Sequence, residues 1–146
     1  MATLKHAAYG TLVDNVLTTG LNSLANGARA ISAAQDNTSA LYLYADFELE
    51  VEFAVAPTEG NPVDLYIVPS IDGVQYADGS DSVQPPQNCF AGHFAARAVN
   101  SDQILAVRDV PLPPSLWKAV LRNSSGQTME ATGNILAYRP HNLSVV

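Results

Sequence analysis

The chain has 146 residues, 47% of them hydrophobic, and its formal net charge is −7. A chain of this length and composition folds as one domain with an ordinary core, which excludes intrinsic disorder and dependence on disulfides. The seven Lys and Arg residues are scattered singly, and no apolar run approaches the roughly 20 residues of a membrane span, so we expect neither nucleic-acid binding nor membrane insertion.

The N-terminal part of the sequence precedes the periodic region. We predict an extended arm over residues 1–15, followed by a single β-sandwich domain over residues 16–146. The opening residues lack the apolar segment of a signal peptide. Cys89 is the only cysteine, so no internal disulfide can form, which suits synthesis in a reducing cytoplasm. Asn26-Gly27 is a type I′ turn signal, so residues 16–25 and 29–33 are predicted to form a hairpin.

The clearest pattern lies between Leu41 and Val55. Odd positions are apolar and most even positions are acidic or tyrosine, which is the alternation of a strand with one buried and one solvated face. Turn-forming residues follow at positions 57–62, and residues 63–68 alternate again. The two segments are predicted to pair as a hairpin.

The second half of the chain contains a long loop and several short strands. Residues 69–87 are rich in Asp, Gly, Ser and Pro, which predicts a long loop with room for a short strand at 74–76. Further strands are predicted at 90–98, 103–110, 117–123 and 134–138, with a turn at 123–126. About seven or eight short strands favour an all-β, antiparallel, jelly-roll-like sandwich.

Candidate catalytic and metal-binding residues are few. His6, His93 and His141 are far apart in sequence, so no metal site is predicted. On one strand, Cys89 and His93 would lie about 13 Å apart, too far to form a nucleophile and base, and Cys89 is better explained as a small buried hydrophobe. We therefore expect no catalytic residues and no bound cofactor, and the protein is not expected to be an enzyme.

Two sets of carboxylates admit other interpretations. Neighbours in the row Asp46, Glu48, Glu50 and Glu52 have a spacing that overlaps that of a glycosidase pair, but a solvated strand face explains them better; the row could also face a basic partner. The Asp-rich loop beginning at Asp72 resembles a calcium loop in composition, without the EF-hand spacing. Ordinary turn chemistry explains it better, and calcium binding stays open.

The tyrosines leave three alternatives open. Tyr42 and Tyr44 lie on the outward parity of their predicted strand, and Tyr66 and Tyr76 follow later in the chain. Such rings could stack on a sugar, contact another protein or pack across strands.

The C-terminal half of the sequence resembles a known class of proteins. Leu112–Gly126, which runs from a Pro-Pro turn into a strand and an Asn-x-x-Gly turn, and the final strand in Ala131–Arg139 are similar to the ending of small virion proteins of tailed bacteriophages. The opening residues 2–10 and the long acidic strand look similar too. The resemblance implies a jelly-roll-like sandwich, often trimeric, that decorates or cements the capsid.

The leading hypothesis is therefore a structural virion protein, made in the host bacterial cytoplasm, that clamps neighbouring capsid subunits from outside. Its expected partners are the major capsid protein and itself, as a homotrimer. The alternative is a tail- or baseplate-associated sandwich or a host-glycan-binding module. Candidate oligomer or shell contacts lie in the arm, the tyrosine pair, the long loop and the C-terminus: His6, Tyr9, Leu12, Val13, Tyr42, Tyr44, Asp72, Tyr76, His141 and Leu143.

Overall fold

The computed structural model describes residues 2–146, and these residues form almost only antiparallel strands, with two single-turn 3-10 helices at Thr19–Leu21 and Gln87–Cys89. Within this range no helix has the length and apolar character needed to cross a bilayer. The strands are β1 (Leu4–His6), β2 (Val13–Leu17), β3 (Arg29–Ile31), β4 (Gln35–Asp36), β5 (Tyr44–Val51), β6 (Pro62–Ser70), β7 (Phe90–Ala95), β8 (Gln103–Pro111), β9 (Leu116–Asn123), β10 (Ile135–His141) and β11 (Leu143–Val145).

The strands form a jelly-roll sandwich. One sheet has the order β2-β10-β5-β8 and the facing sheet the order β3-β9-β6-β7, with β4 also pairing with β9. Apart from the steps β3–β4 and β6–β7, each strand from β2 to β10 lies in the opposite sheet from the one before it. This arrangement confirms the predicted antiparallel, jelly-roll-like β-sandwich. The extra strands beyond the predicted seven or eight are short pieces of two or three residues.

Both predicted hairpins are wrong. β5 and β6 lie in different sheets, as do β2 and β3, so the turns between them carry the chain across the sandwich. Turn residues show that the chain reverses direction, but they do not show whether the next strand joins the same sheet. The strand predicted over residues 41–55 is also shorter, because Leu41 has a φ of 50° and the regular strand runs only from 44 to 51. Residues 74–76 form no strand.

The core lies between the two sheets, where the predicted alternation places it. Ala45, Phe47, Leu49 and Val51 on β5 are at most 1% exposed. The Phe47 ring packs edge-on against Trp117 of the facing sheet, with ring centroids 6.0 Å apart. Three apolar residues predicted to face inward are exposed instead, and all three lie beyond the ends of β5: Leu41, Leu43 and Val55.

The two chain ends pair outside the sandwich. β1 and β11 form a separate two-stranded sheet, here called the terminal ribbon, in which Leu4 lies opposite Val145 and His6 opposite Leu143. Backbone hydrogen bonds continue the pairing inward until β2 joins β10. The residues predicted as an arm therefore run beside the C-terminal segment, and β2 begins within the range 1–15.

Candidate functional site

A cluster of histidines and carboxylates lies where the terminal ribbon meets the sandwich. His6 ends β1, His141 ends β10, Asp46 lies on β5 and Asp109 on β8. Tyr9, which follows β1, covers one side of the group. Four separate segments of the chain therefore contribute to this cluster, which we call the junction site.

A β-bulge places Asp109 in the junction site. Ala45 pairs with Val110 and Phe47 with Val107, so both Arg108 and Asp109 stand opposite the single residue Asp46. Asp109 has a φ of 54°, in the left-handed region that non-glycine residues seldom adopt. Its N–H donates a hydrogen bond of 2.9 Å to Asp46 Oδ1. Bulges redirect side chains in this way, and here the Asp109 carboxylate faces His141.

The His141 side chain is the centre of the junction site. The residue is 3% exposed, and its Nε2 lies 3.4 Å from Asp46 Oδ1 and 3.4 Å from Asp109 Oδ1. Tyr44 stacks on the imidazole at a centroid distance of 5.7 Å, and Tyr9 meets it edge-on at 5.5 Å. Neither ring nitrogen makes a hydrogen bond within the described part of the chain, whereas buried polar groups are ordinarily hydrogen-bonded to protein or to water.

Asp46 supplies fixed negative charge beside that imidazole. It accepts hydrogen bonds from the Tyr9 hydroxyl and from the Asp109 N–H, and Arg108 Nε lies 3.7 Å from Oδ2. Burial pushes the pKa of Asp46 upward, but the two hydrogen bonds, the Arg108 guanidinium and the His141 imidazole in its protonated form together lower it below the ordinary value. The hydrogen bond from the Tyr9 hydroxyl to Asp46 raises the pKa of Tyr9, because it stabilises the protonated phenol.

Three residues of the junction site have the geometry of a metal-ion site. His6, Asp109 and His141 each offer one ligand atom, and these atoms lie within 4.8 Å of one another. Among residues 2–146 this is the only group of three such side chains. A shallow cavity of about 230 Å³ opens beside them. Two imidazoles and one carboxylate are ligands that suit zinc and related ions.

Five of the predicted contact residues meet at this place. His6, Tyr9, Tyr44 and His141 belong to the junction site, and Leu143 pairs with His6 across the terminal ribbon. Their distant sequence positions gave no indication of this proximity, because it arises from the pairing of the two chain ends.

The other predicted contact residues lie elsewhere. Leu12 is 52% exposed, while Val13 and Tyr42 are half-buried and pack against the core. Asp72 accepts backbone hydrogen bonds from residues 74 and 75, and these bonds lower the pKa of its carboxyl. Lys118 Nζ lies 4.3 Å from the centroid of the Tyr76 ring. Asp72 thus has the local turn role expected of an aspartate in such a loop.

Sequence reasoning missed the carboxylates of the junction site. Asp46 belongs to a row of acids that strand alternation already explained, and nothing in the sequence distinguishes Asp109 from its neighbours. The signal for Asp109 is the bulge, which appears only once β5 and β8 are paired. Distance along the sequence does not separate His6 from His141, because the pairing of residues 4–6 with 143–145 brings the two side chains together.

The remaining thiol and histidine do not join this group. Cys89 is 7% exposed, as expected of a small buried hydrophobe, and burial raises the pKa of its thiol. His93 is exposed on β7, and its ring stacks on Phe90 with centroids 6.5 Å apart.

Comparison with known proteins gives no identification. No protein-family model matches the chain, and neither the curated proteins nor the solved structures give a significant match. What the protein does must therefore be inferred from its own residues.

Proposed function

We propose that the protein is a structural component of a tailed-phage virion, which binds the outside of the capsid as a homotrimer and clamps neighbouring capsid subunits. The observation that carries this proposal is the terminal ribbon. It is a two-stranded sheet of residues 4–6 and 143–145 with exposed apolar side chains, and it stands apart from the two sheets that contain the core.

The terminal ribbon has the properties of a surface that gains stability by binding. Leu4 is 62% exposed, Val145 70% and Val146 63%. In the described residues, β1 and β11 pair only with each other, which leaves the outer edge of each strand open. A two-stranded ribbon is marginally stable alone in water, and an open edge is a template for a further strand. A partner strand would satisfy the edge and cover the apolar side chains.

The rest of the molecule is compatible with a clamp. Jelly rolls occur in viral capsid proteins as well as in lectins, although a fold alone does not decide function. The resemblance of the C-terminal half to small phage virion proteins favours the first class. The net charge of −7 suits a basic partner surface. Each bound copy would stabilise the assembled shell by mass action, without bond-making chemistry.

The glycan-binding alternative receives less support from the tyrosines. Tyr44 stacks on His141, and a Cβ atom at Gly10 would lie 2.6 Å from the Tyr42 hydroxyl. Both rings are half-buried and engaged in packing, which leaves each of them less surface for stacking on a sugar.

Co-sedimentation with capsids tests the proposal. The capsids are assembled from the major capsid protein of the same virus, without this chain. The double variant Leu4→Asp, Val145→Asp should lower occupancy by about tenfold or more, because it places charge in the contact. Ile104→Asp is the control, since Ile104 is 67% exposed but lies on β8, outside the terminal ribbon.

Three results would overturn this proposal or part of it. Wild-type protein that does not sediment with capsids lacks the proposed partner, and sedimentation with isolated tails instead would move the protein to the tail. Equal occupancy of wild type and the double variant would remove the role of the terminal ribbon. Light scattering, which measures the molar mass of the free protein, tests whether it is a homotrimer.

A further inference from the structure

We propose that His6, Asp109 and His141 bind a divalent transition-metal ion of the zinc type, which ties the terminal ribbon to the sandwich. This proposal is independent of the virion role, because it depends only on the geometry of the junction site.

The ligand spacing suits such an ion. Tetrahedral zinc with bonds of about 2.0–2.2 Å requires ligand atoms about 3.3–3.6 Å apart. His141 Nε2 and Asp109 Oδ1 are already 3.4 Å apart, and all three ligand atoms lie within 4.8 Å. His6 is exposed at the end of β1, so a small rotation of its side chain can complete the group.

The buried imidazole is a separate observation that points to a ligand. His141 is 3% exposed, and neither of its nitrogens makes a hydrogen bond in the described chain. Its Nε2 faces two carboxylates at 3.4 Å, outside hydrogen-bond geometry. An ion coordinated by Nε2 would satisfy the nitrogen and would also neutralise the acidic side of the cluster.

The surrounding residues hold two of the ligands in place. The left-handed φ of Asp109 and its N–H bond to Asp46 orient that carboxylate, and Tyr44 and Tyr9 pack against the imidazole of His141. These contacts restrict the backbone at Asp109 and the ring of His141 before an ion binds, while His141 Nδ1 has no hydrogen-bond partner in the described chain.

The donor set also predicts which ions bind. Three protein ligands leave at least one position for water, as in zinc sites with an open coordination position. Calcium prefers six to eight oxygen ligands, so an imidazole-rich site of this size should discriminate against it.

A metal at this place would couple the terminal ribbon to the sandwich. His6 belongs to β1, whereas Asp109 and His141 belong to the sheet of the sandwich. Binding should therefore slow hydrogen exchange of the β1 amides. If the proposed function is correct, the ion would also set the direction in which the terminal ribbon meets its partner.

Titration of chelator-treated protein with ZnCl₂ tests the site. We expect one zinc ion per chain, a rise in the melting temperature of roughly 5–10 °C at a hundredfold excess over Kd, and little response to CaCl₂. His6→Ala should weaken zinc binding by about tenfold or more. The matched control is His93→Ala, which removes an exposed histidine outside the junction site and should leave the affinity unchanged.

Two further measurements separate a metal site from a purely structural cluster. Co²⁺ should give the visible absorption of a four-coordinate ion in wild type and in His93→Ala, but not in His6→Ala. Asp109→Asn is a second ligand variant that keeps the shape of the side chain. Zinc should also protect the amides of Leu4–His6 from exchange.

The proposal fails if wild type binds no stoichiometric zinc, or if His93→Ala loses as much affinity as His6→Ala. The variant Leu4→Asp, Val145→Asp keeps all three ligands, so it should bind zinc even if it no longer binds capsids. Failure of the virion role and failure of the metal site are therefore distinguishable.

Discussion

The sandwich and the terminal ribbon are both built from antiparallel strands, yet the sandwich buries its apolar side chains and the terminal ribbon exposes them. In the sandwich, Phe47 and Trp117 are at most 1% exposed. In the terminal ribbon, Leu4 is 62% exposed and Val145 70%. Stability should therefore reside in the sandwich, which leaves the terminal ribbon available for the binding role that we propose for it. Four predictions test this division.

The largest effect is expected from Phe47→Ala in the core. Phe47 contacts the rings of Trp117 and Tyr138, and its removal would leave a cavity between the sheets. We expect the free energy of unfolding to fall by about 3–5 kcal/mol in a urea titration. Leu4→Ala in the terminal ribbon should change it by less than about 0.5 kcal/mol. Comparable losses for both variants would show that the sandwich and the terminal ribbon do not differ in their contribution to stability.

A smaller loss of stability is expected from a substitution at Gly92 on β7, which lies against Val107 of β8. Gly92 has a φ of 151°, and a Cβ atom there would lie 2.7 Å from Val107 Cγ1. Gly92→Ala should therefore destabilise the protein by about 1–3 kcal/mol. In a double-mutant cycle, the cost should be smaller in a Val107→Ala background, because the clash is removed and only backbone strain remains. An unchanged cost would show that crowding is not the cause.

Alkylation rates of thiols measure solvent access, so they compare the sandwich directly with the terminal ribbon. Burial raises the pKa of Cys89, so less reactive thiolate is present at a given pH and the native thiol is shielded. We expect alkylation at pH 8 to be at least about tenfold slower in native protein than in urea. A thiol introduced by Val145→Cys in a Cys89→Ser background should react equally fast with or without urea. Rapid reaction of native Cys89 would indicate local opening of the sandwich.

The smallest change in stability is expected from shortening the terminal ribbon. Removal of residues 143–146 eliminates β11 but no buried core residue. With a chelator present, the free energy of unfolding should change by less than about 0.5 kcal/mol, although capsid binding should be lost. A loss of several kcal/mol would make the terminal ribbon part of the cooperative unit.

Much of the fold could be predicted because strand alternation is a local property. The odd residues of β5 are buried as their spacing indicates, and most strands lie within a few residues of the predicted bounds. The hairpins could not be predicted correctly, because in this jelly roll most consecutive strands lie in opposite sheets, separated by the thickness of the core. Turn residues such as Asn26-Gly27 encode a change of direction, and the choice of sheet depends on distant partners.

The sequence by itself determined the class of fold, the inward face of β5 and the burial of Cys89, since each depends on neighbouring residues and on hydrophobicity. The tertiary structure decided the rest. It paired the two chain ends, placed the bulge at Asp109 opposite Asp46, and brought His6 beside His141. Those contacts join residues that are far apart in the chain, and only the complete pairing of the strands determines them.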